Sequence, residues 1–271
     1  AAGTSIVFIT HKRREVRAVA DRITVIRRGK VVGQASPTST AAELASMMVG
    51  RPVKLDIDKA PAEPGSDILV VDGLRIVDPA GQVTVDDVSF TVRAGEIYAL
   101  AGVQGNGQSE LTEALVGLTP TQAGTISLDG RDITRASVDS ILDTVGYVPE
   151  ARLHDGVIGS FSVPENLVLD LYDNTPYSKR FSLDLALIRS NAEERVKEYD
   201  VRTSSTEHAA STLSGGNQQK VVLARELSRP VRLLIVAQPT RGLDVGSMEF
   251  VHRRIVTERD NGAAVVLISS E

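Results

Sequence analysis

Uninterrupted apolar runs alternate along this chain with stretches of helical period, and the runs are set off by glycine. Ser5-Ile6-Val7-Phe8-Ile9, Ile97-Tyr98-Ala99-Leu100-Ala101 and the closing run after Gly262 show no polar alternation, so they predict strands buried on both faces of a sheet. Between the first two runs the pattern predicts a helix over 14–20, a strand, turn and strand over 21–32, and a helix from Ala41 to Val49 stopped by Gly50. Residues 52–67 hold Pro, Gly, Lys and Asp without an apolar period and predict a linker. Strands are expected at 68–76 and 82–93, then a turn at Ala94-Gly95, a helix from Glu110 to Val116 and strands at 125–128 and 145–148. A polar helical stretch over 183–200, a helix over 217–229, a strand over 232–236 and a helix over 246–260 complete the order. This alternation predicts an α/β fold, with a largely parallel sheet covered by helices on both faces.

The two ends of the chain resemble each other. GTSIVFITHK (3–12) aligns with GAAVVLISSE (262–271), which sets His11 opposite Ser270. Two short apolar strands can match by chance, so the repeat needs motifs to support it. Residue 1 is Ala, and a buried-strand pattern follows it at once. The expectation is a segment of a longer protein, running between equivalent points of two related units.

Composition narrows the function classes only a little. With 271 residues, 42% hydrophobic and 24% charged, the chain is ordinary for a globular protein. A net charge of -5 offers no clustered Lys and Arg to neutralise phosphates, so no nucleic-acid partner is expected. The absence of cysteine excludes disulfides and thiolate metal sites. No apolar run approaches the roughly 20 residues that span a bilayer. A link to a membrane would then run through a partner protein.

The loop Gly102-Val103-Gln104-Gly105-Asn106-Gly107-Gln108-Ser109 follows an apolar strand and opens a helix, the context of a phosphate-binding loop. Glycines let backbone N–H groups turn toward phosphate oxygens, and the helix start adds about half a positive charge. Ser109 stands where a hydroxyl would ligate magnesium, and Gln108 stands where the pattern has lysine. A glutamine offers only neutral donors, and charged hydrogen bonds are about twice as strong. A strand-to-helix turn of this kind is also compatible with no ligand at all.

Leu213-Ser214-Gly215-Gly216-Asn217-Gln218-Gln219-Lys220 is more specific. A serine cap explains Ser214 but not the paired glycines, which expose helix N–H groups to a closely approaching anion. Together with VVLAREL (221–227) and LLIVAQPTRGLDVGS (233–247), this segment resembles the signature, Walker B and D-loop succession of ABC ATPases. The resemblance covers essentially the whole chain. It implies a P-loop cassette with an added antiparallel β part and a helical subdomain over about 150–205. It also implies ATP and Mg2+ as ligands, with transmembrane permease subunits as partners on the cytoplasmic face of the plasma membrane. An extracytoplasmic substrate-binding protein would be an indirect partner.

Carried over residue by residue, the resemblance implies a consistent loss of charge at one nucleotide site. Ala237 replaces the Walker B aspartate, Gln238 the glutamate that orients water, and Ser270 the switch histidine, while Glu150 stands at the Q-loop glutamine. With Gln108, these departures imply a site that hydrolyses ATP poorly, so the isolated chain is expected to be weak or inactive. His11 keeps the histidine in the first copy. In this family the signature of one cassette meets the nucleotide of the other, so Ser214, Gly215 and Gly216 would serve the site to which His11 belongs. The implied layout is the end of a first cassette at 1–50, a linker at 51–66 and a second cassette at 67–271. The rest of the first cassette would lie elsewhere in the same polypeptide. Asp244 has two readings, a D-loop residue at the cassette interface or a cap for the helix over 246–260.

Fused cassettes in which the second copy ends in Ser-Ser-Glu look like the importers of ribose, other simple sugars and nucleosides, and GNGQSEL (105–111) with AQPT (237–240) looks closer to the nucleoside branch. An ABC ATPase of DNA repair would need sustained heptads or zinc cysteines, and neither occurs here. For the chain in isolation, a regulatory module without hydrolysis is the other reading.

Overall fold

The computed structural model describes residues 3–10, 13–27, 29–53, 57, 59–179 and 182–270, with the side chains of 13 and 14 left aside. His11 and Glu271, both read from the sequence, lie outside the described residues. The chain divides into two compact units, residues 1–59 with 243–253 and residues 60–242 with 254–271.

In the first unit, α1 (Arg13–Val19) precedes a hairpin of β1 (Ile23–Arg27) and β2 (Lys30–Ala35), and α2 (Ala41–Val49) follows. Ile23, Val25 and Leu44 form a small core flanked by Val16, Ala20, Met47 and Met48. Both ends of α2 are fixed by sequence. The Glu43 N–H donates to Thr40 Oγ1 at 3.2 Å and the Thr40 N–H donates to Glu43 Oε2 at 2.8 Å, a reciprocal cap that satisfies two helix-end donors. At the other end Gly50 takes φ 85° and its N–H donates to Ser46 O at 2.7 Å. Glycine suits this stop because it takes the left-handed φ without a Cβ penalty; a Cβ there would displace only the flexible end of the Arg27 side chain. Ala45 and Val53 pack with Val245, and Arg51 pairs with Glu249 at 2.9 Å, which ties in segment 243–253.

One sequence expectation fails here. Residues 3–10 adopt no regular structure, and Ile6, Val7 and Ile9 are 85%, 89% and 92% exposed. A strand apolar on both faces is stable only between paired neighbours, and no described strand pairs with this segment. The apolar pattern records a preference that nothing here satisfies.

The second unit runs β3 (Asp67–Val77), β4 (Val83–Arg93), β5 (Ile97–Ala101), α3 (Gln108–Leu115), β6 (Ala123–Leu128), β7 (Arg131–Asp132), α4 (Val138–Leu142) and β8 (Val145–Val148). It continues with α5 (Val163–Leu167), β9 (Ser178–Lys179), β10 (Ser182–Leu183), α6 (Leu185–Glu198), α7 (Gly215–Glu226), β11 (Leu233–Ala237), α8 (Val245–Asp260) and β12 (Ala264–Ser269). The first turns of α8 belong to the first unit.

Four strands make a parallel sheet in the order β5-β12-β11-β8, and four make an antiparallel sheet in the order β4-β3-β6-β7. Leu111, Ala114 and Leu115 of α3 join Val71, Leu74 and Ile126 of one sheet to Ile235, Val266 and Ile268 of the other in one core. Leu234 and Val236, the alternate residues of β11, are also fully buried, so this strand is covered on both faces as its sequence predicts. In the parallel sheet Ser269 lies beside Ala101, Ala237 beside Ile268 and Val236 beside Val148. The carboxyl ends of the strands therefore coincide, and the segments after them share one edge, where α/β sheets bind ligands. The short helices α4 and α5, capped by Ser137 and by a Ser162–Glu165 capping box, add structure that the sequence reading does not anticipate.

Candidate functional site

The edge beyond these strands forms a cleft of about 300 Å³. It is lined by Gly105, Gln108 and Ser109 of the glycine loop, Tyr147 and Glu150 after β8, and Ala237, Gln238 and Arg241 after β11. The structure thus brings together most of the residues that the sequence assigns to one nucleotide site.

Gly107 begins α3 at φ 88°, and a Cβ there would lie 2.3 Å from the Thr84 carbonyl oxygen, so the loop closes onto β4 only with glycine. Gly105, at φ 89°, faces open space. The loop is internally bonded. Asn106 N–H donates to Gln108 Oε1 at 3.0 Å, Gln108 Nε2 donates to Val103 O at 3.1 Å, and Asn106 Nδ2 donates to the same carbonyl at 2.8 Å. Ser109 is exposed to the cleft.

The groups facing the loop are neutral or already paired. Gln238 Nε2 donates to Ser270 Oγ at 3.1 Å, and the Ser270 N–H donates to Gln238 Oε1 at 3.3 Å. Gln238 holds φ 47°, a left-handed conformation that costs a residue with a Cβ about 1 kcal/mol or more. Ala237 contributes only a methyl. Glu150 Oε1 accepts from Gln104 Nε2 at 2.8 Å and pairs closely with Arg241. Burial, with the charges of Glu113 and Asp155, pushes the Tyr147 phenol up to about 12.

The signature residues are not among those lining this cleft. Ser214 caps α7, its Oγ accepting from Asn217 N–H at 3.4 Å and from Asn217 Nδ2 at 3.0 Å. Ser214 is exposed and Gly215 half-buried, while Gly216 is buried. Behind this start α7 is anchored by side chains. Gln218 Nε2 donates to Ala210 O and Leu213 O at 3.2 and 3.1 Å, and the buried Lys220 Nζ donates to Asp200 O at 2.7 Å. Farther along, Arg225 Nη1 donates to Gly156 O at 2.9 Å and Glu226 Oε2 accepts the Tyr147 N–H at 3.0 Å. These last bonds fasten the signature helix to the strand and turn that flank Glu150. Asp244, in the first unit, caps α8. Its carboxylate accepts from Gly246 N–H at 2.9 Å, Ser247 N–H at 3.1 Å and Ser247 Oγ at 2.7 Å.

Two arginines at this edge escape sequence reading. Arg241 is the one cation lining the cleft among the described residues. Arg152 Nη1 donates to Arg241 O at 2.6 Å, and a Cβ on Gly215 would lie 2.9 Å from its Nη2. Burial and the Arg241 charge push the Arg152 guanidinium below its ordinary value. Their signal in the sequence is adjacency alone, Arg152 two residues after Glu150 and Arg241 three after Gln238.

The family model described as ABC transporter matches residues 85–241, more than half of the chain. The chain belongs to the ABC transporter family. The nucleoside import ATP-binding protein NupA of Lactococcus lactis subsp. cremoris (strain MG1363) is 48% identical over 99% of this cassette chain and 54% of its own length. The guanosine import ATP-binding protein NupO of Bacillus subtilis (strain 168) is 45% identical over 99% of the chain and 53% of its own length. The chain thus spans about half the length of the curated relatives it matches. In fold, the cassette resembles the dimeric bacterial ABC transporter cassette MJ0796, with a TM-score of 0.65 at 21% identity over 75% of this chain and 88% of that one. The expected P-loop ABC cassette architecture, a parallel sheet with an antiparallel β part and helices, is therefore the architecture found.

Proposed function

We propose that this chain carries most of the second of two fused ATP-binding cassettes of an importer. On this reading residues 1–50 end the first cassette, 51–66 link the two, and 67–271 form the second. The cleft beside Gln108 is then a degenerate nucleotide site. The start of α7 completes the ATP site of the first cassette, where His11 is the switch residue and Asp244 belongs to the interface. One observation carries the reading. Gln238 and Ser270 hydrogen-bond each other as neutral groups where hydrolysis needs a carboxylate and an imidazole.

The donors in the cleft do not fit a dedicated magnesium site. Ser109 offers a hydroxyl and Ala237 offers nothing, and no three acidic or histidine groups converge among the described residues. No step is assigned to the metal in this cassette; Mg2+ with ATP belongs to the first. The relatives named for nucleoside and guanosine import support nucleosides as cargo. Among the described residues no helix is long and apolar enough to cross a membrane, so the reading places transport in partner permease subunits, fed by an extracytoplasmic substrate-binding protein. The cassettes would then work from the cytoplasmic face.

ATP turnover of the 271-residue chain, measured beside the longer tandem protein, tests the reading. The chain is expected at background and the tandem protein well above it; turnover by the chain at the tandem rate sinks the degenerate-site reading. Stimulation of the reconstituted importer by guanosine rather than ribose tests the cargo.

A further inference from the structure

The Gln108 side chain bonds the glycine loop from within. Gln108 turns back from the first turn of α3 so that its Oε1 accepts the Asn106 N–H at 3.0 Å and its Nε2 donates to Val103 O at 3.1 Å. The Asn106 N–H belongs to the backbone donors that a loop of this type turns toward a phosphate oxygen. The amide is also packed against the base of the loop, since a Cβ on Gly102 would lie 2.4 Å from Gln108 Nε2. Gly102 thus makes room for the folded glutamine. Lysine has no acceptor and cannot cap an N–H, whereas an amide carries one acceptor and two donors and meets both needs at once. The surrounding charge works in the same direction. Glu113, Glu150 and Asp155 line the cleft against Arg241, the single cation among the described lining residues, which is itself paired with Glu150.

We propose that the Gln108 side chain is an internal plug of the glycine loop, an amide that stands in for phosphate and must be displaced before this cassette can hold a nucleotide. The proposal rests on the reading of this cleft as a nucleotide site and adds how that site is kept weak. It separates two effects that a lysine-to-glutamine change would otherwise merge, the loss of a positive charge and the gain of a competitor.

The test is MgATP binding by calorimetry on the 271-residue chain and on Gln108→Ala and Gln108→Lys, with hydrogen exchange of the Asn106 amide measured without nucleotide. Gln108→Ala removes the plug and adds no charge. It is expected to bind MgATP about tenfold more tightly than the parent chain, with Asn106 exchanging about tenfold faster, the scale of one lost hydrogen bond. Equal or weaker binding by Gln108→Ala, with tighter binding by Gln108→Lys, overturns the plug while the nucleotide site stands. No MgATP binding by any of the three overturns both. Should Gln108→Ala not fold, Gln108→Ser carries the same comparison.

Discussion

Gln238 and Ser270 hydrogen-bond each other just past the ends of two neighbouring strands, β11 and β12. A neutral hydrogen bond of this kind contributes about 1 kcal/mol net. Ser270→Ala is therefore expected to lower unfolding stability by about 1 kcal/mol in urea titration. A double-mutant cycle with Gln238→Ala should give a coupling energy of about 0.5–1 kcal/mol. Zero coupling would mean that the two side chains do not depend on each other.

Gly105 and Gly107 have nearly the same φ and should respond differently to alanine. At Gly105 the new methyl meets open space, so only the left-handed backbone is penalised, by about 1–2 kcal/mol. At Gly107 it would enter the Thr84 carbonyl, which is backbone and cannot swing aside. Gly107→Ala is expected to cost at least about 2 kcal/mol more than Gly105→Ala in the same urea titration.

The Tyr147 phenol, raised to about 12 by burial and by Glu113 and Asp155, gives a pH signature. In the unfolded chain the same group titrates near 10. Between these values the folded chain holds a proton that the unfolded chain has released, so its contribution is complete below pH about 10 and is lost as the pH rises toward 12. Burial raises the Tyr199 phenol as well, so spectrophotometric titration should show late-ionising tyrosine absorbance that Tyr147→Phe reduces without abolishing, together with a shallower fall in stability above pH 10.

In the first unit, Thr40→Ala removes the α2 capping hydroxyl and is expected to cost about 1 kcal/mol. Gly50→Ala meets a positive φ that costs about 1–2 kcal/mol while the Arg27 guanidinium swings aside, so it should cost as much as Thr40→Ala or slightly more. Thermal melting of the two variants ranks them.

What the sequence shows best are elements whose period and punctuation agree. The run 97–101, the glycine loop and α3 form one legible unit, as do the capped α7 and the doubly buried β11. Gly50 also marks its helix end in advance. The short α5 is different. Its Ser162–Glu165 box is present in the sequence, but five residues are too few to raise an apolar period above a polar neighbourhood. Ser5–Ile9 fails for another reason, because a run of apolar residues says that a strand wants neighbours and not that it has them. At the site, the residue types at 108, 237, 238 and 270 disclose which charges are missing. They do not disclose that Gln108 folds back onto Val103 or that Arg241 is held by Glu150, since side-chain direction depends on the folded path of the backbone, within the loop for Gln108 and 91 residues away for Arg241.

The exposed Ile6, Val7, Phe8 and Ile9 have a practical side. An extended apolar segment with unclaimed backbone groups is adhesive, and the surface most ready to receive it is a matching segment on another molecule. Concentrated preparations of the 271-residue chain should clump through this stretch, and an aspartate or lysine placed within it should keep them dispersed.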